Sequence, residues 1–246
     1  MPGISSYYGW EKVRGLSTSR KVSAATVLFR QGTEAQSAIL IESGWIKSVR
    51  EEQNGQERIL ALFPPGSLLS AETLISGQHH AATAIALVNC QLYLIPSMVF
   101  LSWVRSTPQF SWQLHRALSR RVNARDIRLT QFLCLPPRLR LEQLLWQLLC
   151  VQNRGQSNPD HRWFEAECKL LIPLQRQELA QMISITPEHL SRLLGIMERD
   201  GVIRRDNGWL IVLSPDQLWR APEVQPSNGP DTIQAEAHEL PEIIVA

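Results

Sequence analysis

The segment 170–205, LLIPLQRQELAQMISITPEHLSRLLGIMERDGVIRR, constrains this chain most. Leu190, Leu193, Leu194 and Met197 recur at i, i+3, i+4 and i+7, one apolar stripe on a helix that must pack against a domain. Thr186 is a good N-cap and Pro187 suits the first helical position, so that helix is predicted to begin there. A shorter helix, from about Gln175 to Ile183, turns Leu179, Met182 and Ile183 inward, and only Ser184-Ile185 separates the two. After Asp200-Gly201, VIRR and WLIVL flank Asp206-Asn207-Gly208, a two-strand turn. The pattern predicts a helix–turn–helix followed by a hairpin wing.

The face opposite the apolar stripe is polar. Glu188, Ser191 and Arg192 share its first turns, and each type suits a base edge in the major groove. Arginine can bond guanine O6 and N7 together, glutamate can accept from cytosine N4, and serine serves either kind of base. Taken alone, Glu188 and Arg192 also read as a surface i,i+4 ion pair. Arg176 and Gln177, at the start of the preceding helix, suit phosphate oxygens, as do Thr186 and His189 beside the second helix start.

Glu188-His189-Leu190-Ser191-Arg192 resembles the E-x-x-S-R set on the recognition helix of the CRP/FNR family of bacterial transcription regulators. The resemblance implies base reading by Glu188, Ser191 and Arg192, on a palindrome of TTGA-like half-sites. Ser184 departs from it, standing where the family usually has glycine in the turn. If that residue needs positive φ, serine costs some stability there.

From Val22 to Pro96 the chain reads as short strands separated by glycine turns, an antiparallel β-roll. Asn54-Gly55 is the clearest hairpin, and Gly32, Gly44 and Gly66 fall where a tight roll needs positive φ. The spacing F-R-Q-G, I-x-S-G, N-G-x-E and P-P-G resembles the cyclic-nucleotide-binding fold of the same family's sensor half. The expected fold class is therefore α+β: the β-roll, a long dimerisation helix and a C-terminal winged helix–turn–helix. Boundaries are expected at 1–107 for the sensor, 108–135 for the helix, 136–220 for the DNA-binding domain and 221–246 for a tail.

The effector is not readable. Cyclic-nucleotide binders of the family carry a ribose-binding Glu and then R-[ST]-A, whose Arg neutralises the phosphate. Here Thr83-Ala84 can match the last two residues, but Ala82 stands in place of the Arg. A buried anion without its cation is poorly compensated, so cyclic nucleotide is not expected, and Glu72 reads as a surface or capping acid. No cysteine precedes Cys90, so no iron–sulfur cluster is expected either. The pair His79-His80 raises haem, but both sit in a polar loop and read as solvent-exposed. Cys90, Cys134, Cys150 and Cys168 show no C-x-x-C pairing and read as buried or inert.

A long helix is expected from about Pro108 to Leu135, stopped by Pro136-Pro137. Leu114, Leu118, Leu129 and Phe132 lie close to one stripe, the seam of a two-stranded coiled coil. Arg121, Arg125 and Arg128 fall on the same stripe. Either they pair with Asp126 of a second chain or stack with their heads in water, or all three supply positive charge for an anionic effector, for which Arg121 and Arg125 join Glu72 and Thr83 as candidate residues.

The net charge of +2 conceals an asymmetry: the tail holds five acids and no Lys or Arg, leaving +7 on residues 1–220. That tail, with four prolines, is expected to be partly disordered, either competing with DNA or simply solvated. Expected partners are double-stranded DNA, a second copy of the chain and, for an activator, RNA polymerase. Residues 152–161 form a candidate activating surface or an ordinary loop. No apolar run long enough for a membrane span or signal peptide is present, so a cytoplasmic protein is expected. No phosphate loop, metal spacing or nucleophile–base motif suggests an enzyme. The competing class is a small-molecule-binding module acting mainly through protein contacts.

Overall fold

The computed structural model describes residues 14–52, 55, 57–153, 167–171, 174–206 and 209–218. Strands β1 (Thr18–Val22), β2 (Val27–Phe29), β3 (Ser37–Ser43), β4 (Ile46–Glu51), β5 (Glu57–Phe63), β6 (Leu68–Leu69), β7 (Thr83–Ala86) and β8 (Cys90–Pro96) build the N-terminal half. They form two antiparallel four-stranded sheets, ordered β1-β8-β3-β6 and β2-β7-β4-β5. The expected roll is present, and it begins one strand earlier than Val22. The short helix α1 (Ala71–Ser76) interrupts it, entered through Ser70 at φ 63.

Three apolar clusters explain the burial pattern. Ile39, Ile41, Ile46, Leu69, Ala84 and Leu92 fill the space between the two sheets. The alternate residues Ala38, Leu40, Tyr93 and Ile95 point out of the first sheet and are covered by Phe100, Phe110 and Leu114. With both faces covered, β3 reads as the unbroken apolar run AILI rather than alternating. Gly44 closes the β3–β4 turn at φ 93, and a Cβ there would stand 2.5 Å from Cys90 Sγ, so this turn needs glycine on two counts.

Helix α2 (Ser97–Ser106) leads into α3 (Pro108–Cys134), 27 residues and about 40 Å long at 1.5 Å per residue. Helix α4 (Pro137–Gln152), β9 (Cys168–Lys169), α5 (Arg176–Met182), α6 (Pro187–Arg199) and the hairpin β10 (Ile203–Asp206)–β11 (Trp209–Val212) follow. Asp206 pairs with Trp209, so the expected hairpin is present; Asn207, Gly208 and Asn54 lie outside the described residues. So do the tail 221–246 and most of the candidate surface 152–161.

The third cluster joins the two halves. Val49, Ile59 and Leu62 of the second sheet lie in one buried group with Leu141, Leu145 and Leu148 of α4 and Met182, Leu190 and Leu194 of α5 and α6. The C-terminal domain thus covers the outer face of its own sensor sheet. No helix among the described residues is long and apolar enough to cross a membrane.

The expected stripe of α3 is split between a buried and an exposed face. Leu114 is only 3% exposed and belongs to the sensor core, with Leu118 packed beside it. Leu129 is 60% exposed, and it aligns with Val122 and Leu133 rather than with half-buried Phe132. The reason is that α2 and the first sheet claim the Leu114 face. Two of the three arginines expected at the seam are likewise turned into their own protomer: Arg121 and Arg128 are buried, and Arg125 is exposed.

Candidate nucleic-acid interface

Helix α6 begins where its sequence sets it. The Thr186 side chain accepts from the His189 amide at 3.2 Å, and Pro187 occupies the first turn. Leu190, Leu193, Leu194 and Met197 are buried, which fixes the rotation of the helix and leaves Glu188, Ser191 and Arg192 exposed together. Ser191 Oγ donates to the Pro187 carbonyl at 2.9 Å, keeping its lone pairs available. The Glu188 carboxyl is held below the usual range, first by a backbone hydrogen bond, then by the Thr186 hydroxyl, with a smaller pull from Arg192. It therefore stands ready as an acceptor at neutral pH.

Helix α5 presents Arg176 and Gln177 to solvent at its start. A capping box fixes that start: Gln175 receives the third amide, and Glu178 Oε2 accepts from the Gln175 amide at 2.8 Å. Ser184 in the turn has φ 54, so it adopts the left-handed conformation in which glycine is usual. The turn is closed by Ile185 N donating to the Ala180 carbonyl at 3.0 Å.

The far end of α6 is braced twice. Arg138 bonds Asp200 at 2.6 Å and Glu142 at 2.9 Å, tying the end of α6 to the start of α4. Arg205 of the wing holds Glu198 through both its amide and its guanidinium. Arg204 is engaged by Glu167 at 3.0 Å, and Lys169 lies 4.0 Å over the Trp209 ring. Arg138–Asp200 and Arg204–Glu167 join residues 62 and 37 positions apart, whereas Arg138–Glu142 is an i,i+4 pair within α4.

Two family models match: a cyclic nucleotide-binding domain over residues 19–107 and a Crp-like helix-turn-helix domain over residues 139–221. Together they cover well over half of the chain. It belongs to the CRP/FNR family of transcription regulators. The cyclic AMP receptor protein of Thermus thermophilus is 28% identical over 181 residues, 74% of this chain and 77% of that protein. The fumarate and nitrate reduction regulatory protein of Shigella dysenteriae is 24% identical over 204 residues, 82% of this chain and 78% of that one. The structure of FixK2 from Bradyrhizobium japonicum, at 16% identity, shares the fold with a TM-score of 0.69, covering 82% of this chain and 95% of that one. As in other members of the CRP/FNR family, the helix–turn–helix is a DNA-binding domain.

The sensor of this CRP/FNR protein does not fit a cyclic nucleotide. Ala82, immediately before β7, offers no cation for the phosphate. The Thr83 hydroxyl accepts from the Gln31 amide at 3.0 Å. Glu72 is exposed in the first turn of α1, as the surface reading expects, and its Oε2 lies 3.2 Å from Arg121 Nη1; Arg121 also donates to the Leu68 carbonyl and lies 5.7 Å over Phe63. Of the four candidate effector residues, the structure brings only Glu72 and Arg121 together, and they neutralise each other.

The histidine expectation holds for one residue of two. His79 is exposed, 4.0 Å from Glu34, whereas His80 is 5% exposed and stacked on Phe29 with ring centroids 3.7 Å apart. The Gly32 amide donates to the His80 carbonyl and the His80 amide donates to the Thr33 carbonyl, each at 2.8 Å, fixing its backbone against that turn. Burial pushes its imidazole below the usual value, against an opposing pull from Glu72. Cys90 and Cys150 are buried and Cys168 half-buried, but Cys134, at the end of α3, is exposed.

Proposed function

We propose that the protein is a homodimeric, sequence-specific regulator that reads a palindrome of TTGA-like half-sites through Glu188, Ser191 and Arg192. The observation that carries this reading is their joint exposure on the first turns of α6, fixed by the Thr186 cap and four buried apolar side chains. Arg176, Gln177, Thr186 and His189 contact phosphates and set register without reading sequence. The exposed residues Val122, Leu129 and Leu133 sit at i, i+7 and i+11 on α3, spacing that suits pairing with the same helix of a second copy. A two-fold dimer would bind both half-sites at once. Sensor, long helix and reading head correspond to 1–107, 108–135 and 136–220. Allosteric control by an unidentified effector, with neither cyclic nucleotide nor haem favoured, belongs to this reading, and RNA polymerase is a partner if regulation is positive.

The test is binding of the purified protein to a duplex carrying TTGA-N6-TCAA and to a scrambled duplex, across a salt series. Specific binding with a steep salt slope supports the reading. Salt-dependent binding without preference overturns the half-site, and no binding to any duplex favours a module that works through protein contacts.

A further inference from the structure

Arg128 of α3 is 9% exposed and reaches 54 residues along the chain to donate through Nη2 to the Met182 carbonyl. Met182 is the last residue of α5, so its carbonyl is one of those a helix end leaves without an intrahelical donor. The backbone donors of the turn go elsewhere: Ile183 N to Leu179, Ser184 N to Gln181 and Ile185 N to Ala180. The guanidinium thus grips the helix–turn–helix at the residue that precedes its turn, four positions before the Thr186 cap.

The grip is built. The Arg128 guanidinium lies 4.8 Å from the centre of the Phe132 ring, and Arg140 of α4 lies 5.3 Å from the same ring. A planar cation stacked on an aromatic has little freedom to swing. Burial, and then repulsion from Arg140, push Arg128 down to about 9. Its Nε, also buried, makes no hydrogen bond among the described residues. A cation held in this way, against a neutral carbonyl acceptor, is a poor source of stability; its effect is on which arrangement the chain adopts.

We propose that Arg128 is a positioning residue for DNA recognition: it fixes the angle between the long helix and the recognition helix by holding the Met182 carbonyl. In a dimer seated on α3, that angle sets the separation and tilt of two recognition helices, and so the spacing between half-sites. Arg128 touches neither base nor phosphate in this role. The proposal rests on the dimeric reading above.

The experiment first selects bound duplexes with the wild-type protein from a random pool, so that an error in the TTGA half-site does not enter. If no sequence is enriched, the dimeric reading fails and this proposal with it; an enriched palindrome lets Arg128 be tested separately. Arg128→Met and Arg128→Lys are then measured on the selected palindrome, on the same palindrome with its spacer lengthened or shortened by one base pair, and on random duplex. Arg128→Met is expected to keep a cooperative thermal transition and wild-type affinity for random duplex. It should lose about tenfold on the selected palindrome, the scale of a hydrogen bond to a charged group, and to flatten the spacer preference. Arg128→Lys, with a cation but no plane, recovers part of the loss. Wild-type specificity and spacer preference in Arg128→Met overturn the proposal, as does an equal loss on random duplex, which would mark a phosphate contact instead. A lysine variant no better than methionine also overturns it. Should Arg128→Met lose its thermal transition, Arg128→Gln takes its place and the same outcomes decide.

Discussion

Lys47 Nζ in the sensor sheet lies 2.5 Å from Glu178 Oε1 in the first helix of the DNA-binding domain. The other oxygen of that carboxylate caps the same helix through the Gln175 amide. One side chain therefore joins the docking of the two halves to the start of α5. Both partners are largely buried, which places the pair between an exposed salt bridge and a dry one. Lys47→Ala is expected to lower unfolding stability by about 1–2 kcal/mol. Glu178→Ala removes the cap as well and should cost about 1 kcal/mol more. Urea titrations check both, and equal losses would show that the cap contributes nothing.

On DNA, two arginines separate by role. Arg192→Ala should cost about 1–3 kcal/mol on the cognate duplex and relax preference at one base pair in each half-site. Arg176→Ala should weaken cognate and random duplexes alike and lower the salt slope by about one. Binding isotherms at several salt concentrations distinguish the two; a uniform loss for both would remove Arg192 from the base-reading set.

The buried imidazole of His80 predicts a pH dependence of stability. Its folded pKa lies below the unfolded value of 6.5, so between the two the unfolded chain binds more protons. Stability attributable to His80 is complete above 6.5 and is lost as pH falls through the folded value. Thermal midpoints at about pH 7.5 and 5 should therefore differ more for the wild type than for His80→Phe, which keeps the stacked ring without the proton site. Equal differences would mean His80 titrates normally in the folded protein.

Leu114 and Leu129, on the same helix, should fail differently. Leu114→Ala opens the sensor core and is expected to cost about 2–5 kcal/mol of folding stability. Leu129→Asp places a charge at an exposed position and should leave the fold intact while shifting the proposed dimer towards monomer. Sedimentation velocity beside thermal unfolding reads both, and a dimeric Leu129→Asp would move the subunit contact elsewhere.

What the sequence made legible was local. The Thr186 cap, the Leu190–Met197 stripe and the pairing of the wing strands are each set within a few residues, and the structure reproduces them. The family resemblance, with glycine usual in the turn, raised the possibility of positive φ at Ser184, and it stands at φ 54. Long-range choices were hidden. No pattern near Arg128 names Met182, and Lys47 and Glu178 are 131 positions apart. The polar surroundings of His79-His80 suggested water, but the backbone bonds that fix His80 are with residues 32 and 33. On α3 the helical wheel placed Leu114 and Leu129 close together without revealing that the first sheet would take one of them.

The apolar cluster shared by Val49, Ile59 and Leu62 with the helix–turn–helix bears on how the chain comes apart. Pulling the reading head away exposes Val49, Ile59 and Leu62 of the sensor sheet, so separation and melting draw on the same buried surface. In calorimetry the two halves should give one endotherm rather than two. A temperature rise that loosens the sensor will then release the head in the same step, leaving no range in which an intact reading head outlives a melted sensor.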